Sequence, residues 1–94
     1  MKHFVYNIRQ LKSNLGRDRK VTLYRINADR SLTHVGDLTA SFMSDGQMAV
    51  ECAVKHGAVN GKHEKIKRMV HDIETFSTAP LAWENAGLAR FTQV

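Results

Sequence analysis

The sequence predicts one α+β domain, in which a small antiparallel β-meander of three to four strands packs against one long amphipathic helix, with a further helix at the N-terminus. Three patterns predict this class. Apolar residues alternate with polar ones over 20–55, and they recur at helical spacing over 62–77 and over 4–15. The chain has 94 residues, which suffice for one modest core, so a single domain is expected over 1–94.

The N-terminal segment fits a helix better than a strand. Its apolar side chains recur every three or four positions, at Phe4, Ile8, Leu11 and Leu15. Gly16 follows, and glycine is common where helices end. We therefore predict an amphipathic helix over 4–15. The alternative is a short strand over 3–8, because His-Phe-Val-Tyr-Asn-Ile also suits a sheet.

The middle of the chain is predicted to form the meander. Lys20–Ile26 is rich in Val, Thr, Leu and Tyr, and it precedes a polar turn cluster at 27–31. Two further predicted strands, Leu32–Met43 and Gln47–Lys55, flank a three-residue loop, Ser44-Asp45-Gly46. Glycine at the last loop position suits such a hairpin.

The three-residue loop is preferred because it places both apolar sets on one side of the hairpin. It pairs Phe42 with Met48 and Ala40 with Val50, whereas a two-residue loop sets core-facing residues beside solvent-facing ones. A helix over 47–56 is rejected, because the apolar residues of that segment follow a period of two. They are Met48, Val50, Cys52 and Val54.

The C-terminal third is predicted to hold the long helix, at about 62–77. Its apolar stripe consists of Ile66, Met69, Val70, Ile73 and Phe76. The face of the meander that carries Leu38, Phe42 and Val50 is expected to pack against this stripe. Residues 88–94 are expected to add a final edge strand.

The net positive charge is confined to the first 20 residues. They contain six basic side chains and one acidic one, whereas residues 21–94 contain eight of each. Such a field raises the rate of encounter with anionic partners. If this surface meets nucleic acid, its cations contact phosphates, and Phe4 and Tyr6 stack on bases where they are exposed. The candidate binding residues are Lys2, Arg9, Lys12, Arg17, Arg19 and Lys20.

A second basic patch begins the predicted long helix, where cations oppose the helix dipole. An anion bound there would meet both the cations and free backbone N–H groups. A solvated surface is the simpler interpretation of this patch, because an exposed dipole mismatch is only slightly destabilising. The patch consists of Lys62, Lys65, Lys67 and Arg68.

Neither a metal site, nor a cofactor, nor catalysis is predicted. His63 and His71 are eight residues apart, whereas one helical face brings ligands three or four apart. Cys52 is the only cysteine, and it is expected on the core face as a small hydrophobe and not as a nucleophile. Trp83 and Phe91 are expected to close the core.

The expected function is that of a small non-enzymatic interaction module in a nucleic-acid-associated system, acting through the basic N-terminal surface. The alternative is a protein-binding inhibitor or accessory protein, of the kind that phages and mobile elements encode. Such a protein would dock on an acidic or nucleic-acid-handling protein partner without touching nucleic acid. A lone cysteine fits a reducing compartment, and no segment resembles a signal peptide or a membrane span, so a cytoplasmic location is expected.

Overall fold

The computed structural model describes residues 2–12, 18–60, 70 and 89–94. Within them lie one helix and four strands: β1 (His3–Gln10), β2 (Asp18–Ile26), β3 (Leu32–Ser41), α1 (Asp45–Lys55) and β4 (Arg90–Gln93). The strands form one sheet in the order β3-β2-β1-β4. β2 is antiparallel to both β1 and β3, whereas β4 runs parallel to β1. The α+β class is therefore confirmed, but the sheet is mixed and not wholly antiparallel.

The prediction of an N-terminal helix over 4–15 is wrong, because His3–Gln10 is a strand at the centre of the sheet. Phe4 and Tyr6 are buried, and Val5 between them is only half-buried. This alternation is that of a strand with one face on the core. β1 pairs with β2 on one side and β4 on the other. The hydrogen bonds to these two strands satisfy the backbone N–H and C=O groups of β1. They outweigh the helical spacing of its apolar residues.

The second and third strands fall where the sequence predicts them. Val21 and Leu23 of β2 are fully buried, and β3 begins at Leu32. The turn between them is closed by two backbone hydrogen bonds of 2.9 Å, from Arg30 N–H to the Asn27 carbonyl and from Asn27 N–H to the Ser31 carbonyl. The antiparallel meander thus exists, but it consists of β1, β2 and β3 and lies one element earlier in the chain than predicted.

The predicted strand Gln47–Lys55 is wrong, because this segment lies within α1. Ser44 is the N-cap, and its Oγ accepts a hydrogen bond of 3.2 Å from the Gln47 N–H. The three-residue loop is therefore the cap and first turn of a helix. Two alanines distinguish the helical period from the period of two. Ala49 and Ala53, predicted to face solvent on a strand, are fully buried, whereas Val54, predicted to face the core, is 36 % exposed. α1 packs these alanines against the sheet, over β2 and β3.

Phe42 does not belong to the core, contrary to the prediction. β3 ends at Ser41, and Phe42 has a positive φ of 60°, which turns the chain away from the strand direction. Its side chain is 81 % exposed. Leu38 and Ala40, its predicted companions, are half-buried and pack against the core.

The C-terminal strand is confirmed, although it runs parallel to β1. Phe91 of β4 is buried and stacks on Phe4 of β1, with ring centroids 5.1 Å apart. The predicted helix over 62–77 lies outside the described residues except for Val70, which is half-buried and packs against the core. Trp83 also lies outside the described residues.

The end of α1 is fixed against β3 by a close approach at Gly36. A Cβ on this residue would lie 2.2 Å from the His56 ring, so only glycine leaves room for that ring. His56 in turn places its Nε2 2.9 Å from the Asp37 carbonyl oxygen. This contact holds the helix over one face of the sheet. The positions of the basic residues can then be described by whether they lie on that covered face or on the opposite one.

Candidate nucleic-acid interface

The strand conformation of β1 distributes the predicted basic residues over both faces of the sheet. Alternation places Arg9 and Lys20 on the face opposite Phe4 and Leu23, away from α1. Arg19 projects to the α1 side. The five predicted residues that the structure describes therefore do not form one continuous flank as the helical prediction implied.

Four of these residues lie together at one end of the sheet, where β1 ends and β2 begins. We term this region the basic end, and it comprises Arg9, Lys12, Arg19, Lys20 and the exposed Phe42. The chain positions are held together by pairing, because Gln10 opposes Arg19 and Asp18 opposes Ser41. A hydrogen bond of 2.9 Å from Leu11 N–H to the Asp18 carbonyl extends the pairing beyond β1.

Arg19 is committed to contacts within the chain. Its guanidinium forms an ion pair with Asp45, in the first turn of α1, and donates a hydrogen bond to the Met43 carbonyl. The side chain is 29 % exposed. Arg19 therefore fixes the start of α1 to β2, and it is a positioning residue at the basic end.

Lys20 and Arg9 occupy directly opposed positions on β2 and β1. Two like charges at such a position destabilise a sheet. The Lys20 Nζ lies 3.6 Å from a carboxylate oxygen of Asp37, which offsets part of that repulsion. The pKa of Asp37 is lowered, chiefly by its hydrogen bond with His34, then by Thr22 and by the charge of Lys20. Asp37 is thus ionised at neutral pH.

Arg9 and Lys12 are the exposed cations of the basic end, and within the described part of the chain neither has an ion-pair partner. Because Asp45 pairs with Arg19 and Asp37 with Lys20, these two cations leave an excess of positive charge there. The basic end can therefore accept anionic groups without breaking a contact that holds the fold.

Phe42 places an aromatic ring at the same end. Both residues beside it are tied to β2, since Ser41 Oγ donates to the Asp18 carboxylate and the Met43 carbonyl accepts from Arg19. A positive φ is unusual for a bulky residue and is stored strain. The ring is thus presented from a short segment fixed at both sides.

The aromatic residues that the sequence offered for stacking are not available. Phe4 and Tyr6 are 1 % and 3 % exposed and form part of the core. The alternation of Leu38, Ala40 and Phe42 indicates a core position for Phe42, so no sequence signal separates it from its neighbours. Only the end of β3 at Ser41 places this ring outside.

Lys2 lies at the other end of the sheet, where its Nζ donates a hydrogen bond of 3.0 Å to the Ala58 carbonyl. Arg25 is beside it, because Phe4 and Arg25 are register partners. Arg25 belongs to residues 21–94, in which basic and acidic side chains are equal in number. Arg17 and the second basic patch, Lys62, Lys65, Lys67 and Arg68, lie outside the described residues.

Comparisons with protein-family models, with curated proteins and with solved structures found no match for this chain. Within the ranges that the structure describes, no helix is long and apolar enough to cross a membrane. Across those ranges, no group of three or more His, Cys, Asp or Glu side chains is placed to hold a metal ion.

Cys52 is buried in α1, as predicted, although on a helix and not a strand. Burial, together with the nearby Asp37 charge, raises the pKa of its thiol from 9.0 to about 11. The thiol is therefore protonated at neutral pH and shielded from solvent, which makes it a poor nucleophile.

The raised pKa of Cys52 predicts a loss of stability at alkaline pH. Between pH 9 and pH 11 the unfolded chain loses the thiol proton while the folded chain keeps it, so the free energy of unfolding falls as pH rises. The expected fall is roughly 2 kcal/mol. Urea unfolding at pH 8 and pH 11 measures it. Cys52→Ala should show a shallower pH dependence, and parallel curves for the two proteins would contradict the assignment.

Proposed function

We propose that this protein is a small non-enzymatic binding module that contacts single-stranded nucleic acid through its basic end. The observation that carries the proposal is the Phe42 ring, 81 % exposed at the same end of the sheet as the exposed cations Arg9 and Lys12. Proteins that bind single strands without a sequence motif combine cations along the backbone path with aromatic rings on which bases stack.

The electrostatics of the sheet support an anionic partner. Arg9 and Lys20 oppose each other directly on neighbouring strands, which is unfavourable in the free protein. A phosphate between them relieves that repulsion. Local violations of favourable pairing are expected where a surface serves binding and not folding. Arg9, Lys12 and Lys20 are therefore assigned the phosphate contacts.

A single strand fits this surface better than a duplex. The bases of a duplex are stacked on one another, so a ring such as Phe42 has no free base face to meet there. In a single strand the bases can be splayed onto an aromatic side chain. The cations alone would bind either form, because phosphate contacts carry no sequence or strand information.

A cytoplasmic location and a partner protein with an acidic surface remain part of this proposal as secondary elements. Arg9 and Lys12 suit an acidic protein surface as well as a phosphate backbone. The exposed ring of Phe42 supports nucleic acid as the main proposal, because bases stack on aromatic side chains.

Fluorescence anisotropy with labelled oligothymidylate and with a duplex of equal length tests the function. We expect tighter binding of the single strand, weakening as salt rises from 50 to 200 mM. Three phosphate contacts give a slope of log K against log salt of about −2, and Arg9→Gln/Lys12→Gln should reduce it by about 1.4.

Arg30→Gly/Lys55→Gln is the matched control, since it removes the same charge from exposed positions away from the basic end. Glycine suits position 30, where φ is 69°. The control should bind as the wild type does. Absence of salt-sensitive binding by the wild type would remove the nucleic-acid function and leave the acidic protein partner.

A further inference from the structure

A pocket of about 330 Å³ lies at the end of the sheet where β1 begins and β2 ends. Its lining consists of Lys2, His3, Arg25, Ile26, Asn27 and Ala28. Seven residues of extended chain separate Lys2 from Arg9, which corresponds to about 23 Å. The pocket is therefore separate from the basic end.

The lining of this pocket is cationic. Lys2 uses one of its three donors on the Ala58 carbonyl, at 3.0 Å, which leaves two for a ligand. Arg25 is exposed and brings five donors in a planar fork. Among the described residues neither forms an ion pair, and no acidic side chain lines the pocket.

The wall formed by the β2–β3 turn is preorganised. The Asn27 side-chain amide donates to Ser31 Oγ at 3.0 Å and to Thr33 Oγ1 at 2.8 Å. Asp29, the acidic residue of this turn, accepts hydrogen bonds from the Ser31 hydroxyl and backbone N–H. These bonds lower the pKa of Asp29 and commit its carboxylate to the turn.

We propose that this pocket binds the phosphate group of a phosphomonoester, held by Lys2 and Arg25. A phosphomonoester carries close to two negative charges and three acceptor oxygens, which match the two cations and their several N–H donors. The guanidinium fork suits bidentate contact with phosphate oxygens. The pocket volume is near the lower limit for ligand sites, so it admits a phosphate with a group about the size of a sugar.

Two sources supply this chemistry, a free sugar phosphate or nucleotide and the phosphorylated 5′ end of a strand. The proposal does not rest on the proposed function, because its residues lie at the other end of β1. Variants of one site therefore leave the other intact, and the two proposals can fail separately.

Backbone amide NMR with inorganic phosphate, at constant ionic strength set with sodium chloride, tests the site. We expect saturable shifts at the amides of Lys2, His3, Arg25 and Ala28, with an affinity independent of any shifts at Arg9, Lys12 and Lys20. Ribose 5-phosphate should produce the same pattern and ribose should not. A 5′-phosphorylated oligothymidylate that shifts these amides, where the unphosphorylated strand does not, identifies a strand end as a second ligand source.

Lys2→Gln/Arg25→Gln should weaken phosphate binding by at least about tenfold, since charge-assisted hydrogen bonds are lost. Arg25→Gln alone keeps the hydrogen bond from Lys2 to the Ala58 carbonyl, so it controls for a folding defect in the double variant. It should also weaken phosphate binding. In Arg9→Gln/Lys12→Gln, the shifts of the pocket amides should saturate with the wild-type affinity, because these residues lie at the other end of β1. Wild-type shifts that do not saturate, or single and double pocket variants within twofold of wild-type affinity, would overturn the proposal.

Discussion

Phe42→Asn is expected to weaken binding of single-stranded oligothymidylate by about 5- to 150-fold without destabilising the fold. The ring is 81 % exposed, so its removal leaves no cavity. Stacking of one base on an aromatic side chain contributes about 1–3 kcal/mol, which converts to that range. Asparagine tolerates the positive φ of 60° that Phe42 adopts, so the free energy of unfolding should stay equal or rise.

Two measurements distinguish a role of Phe42 in base stacking from a role in folding. Anisotropy gives the affinity, and urea unfolding gives the stability of the same protein. Phe42→Trp keeps an aromatic face and should retain wild-type affinity. Duplex binding, which depends on the cations alone, should change less than twofold in Phe42→Asn. An unchanged single-strand affinity in Phe42→Asn would show that the ring takes no part in binding.

Phe4→Ala is expected to lower the free energy of unfolding by about 3–5 kcal/mol, the largest effect on stability among the substitutions considered. Phe4 is 1 % exposed and stacks on Phe91, so its loss removes both buried area and the main side-chain contact between β1 and β4. A domain of this size is stabilised by only about 5–15 kcal/mol in total. The variant should therefore unfold at much lower urea concentration.

A double-mutant cycle tests the pairing of β1 with β4. The rings of Phe4 and Phe91 are 5.1 Å apart and nearly parallel, so Phe4→Ala and Phe91→Ala should be coupled by about 0.5–1.5 kcal/mol. Val5→Ala is the matched control, because Val5 is half-buried on the other face of β1. Independent effects of the two phenylalanine substitutions would contradict the stacking of Phe4 on Phe91.

The sequence predicts correctly the strands in which apolar and polar residues alternate because one face lies on the core. β2 carries Val21 and Leu23 toward the core with polar residues between them, and a polar turn follows. These signals are local, so they need no knowledge of partners. The final strand was also predicted, but its parallel pairing with β1 depends on where the chain returns, which residue patterns alone do not encode.

The errors arose where two periods fit the same residues. In Gln47–Lys55 the larger apolar side chains follow a period of two, and only the small Ala49 and Ala53 complete the helical face. The signal that decides was present in the sequence. Ser44 and Gln47 have the spacing of a capping box, Ser-x-x-Gln, which precedes a helix and not a hairpin.

The candidate site was only partly predictable for a related reason. The excess of basic residues before position 21 is a fact of composition, but its geometry depends on β1 being a strand. That conformation turns Arg19 toward Asp45 and leaves Arg9 opposite Lys20. The exposure of Phe42 follows from the end of β3, and the pocket beside Arg25 follows from the β1–β2 register.

Backbone amide NMR during titration with unphosphorylated oligothymidylate tests the binding role of the basic end most directly. The expected result is saturable shifts at Arg9, Lys12, Lys20, Phe42 and Met43, which diminish as salt is raised. The amides of Lys55 and Ala58, at the far end of α1, should not move. Saturable shifts that avoid the basic end, or none at low salt, would contradict the proposed function.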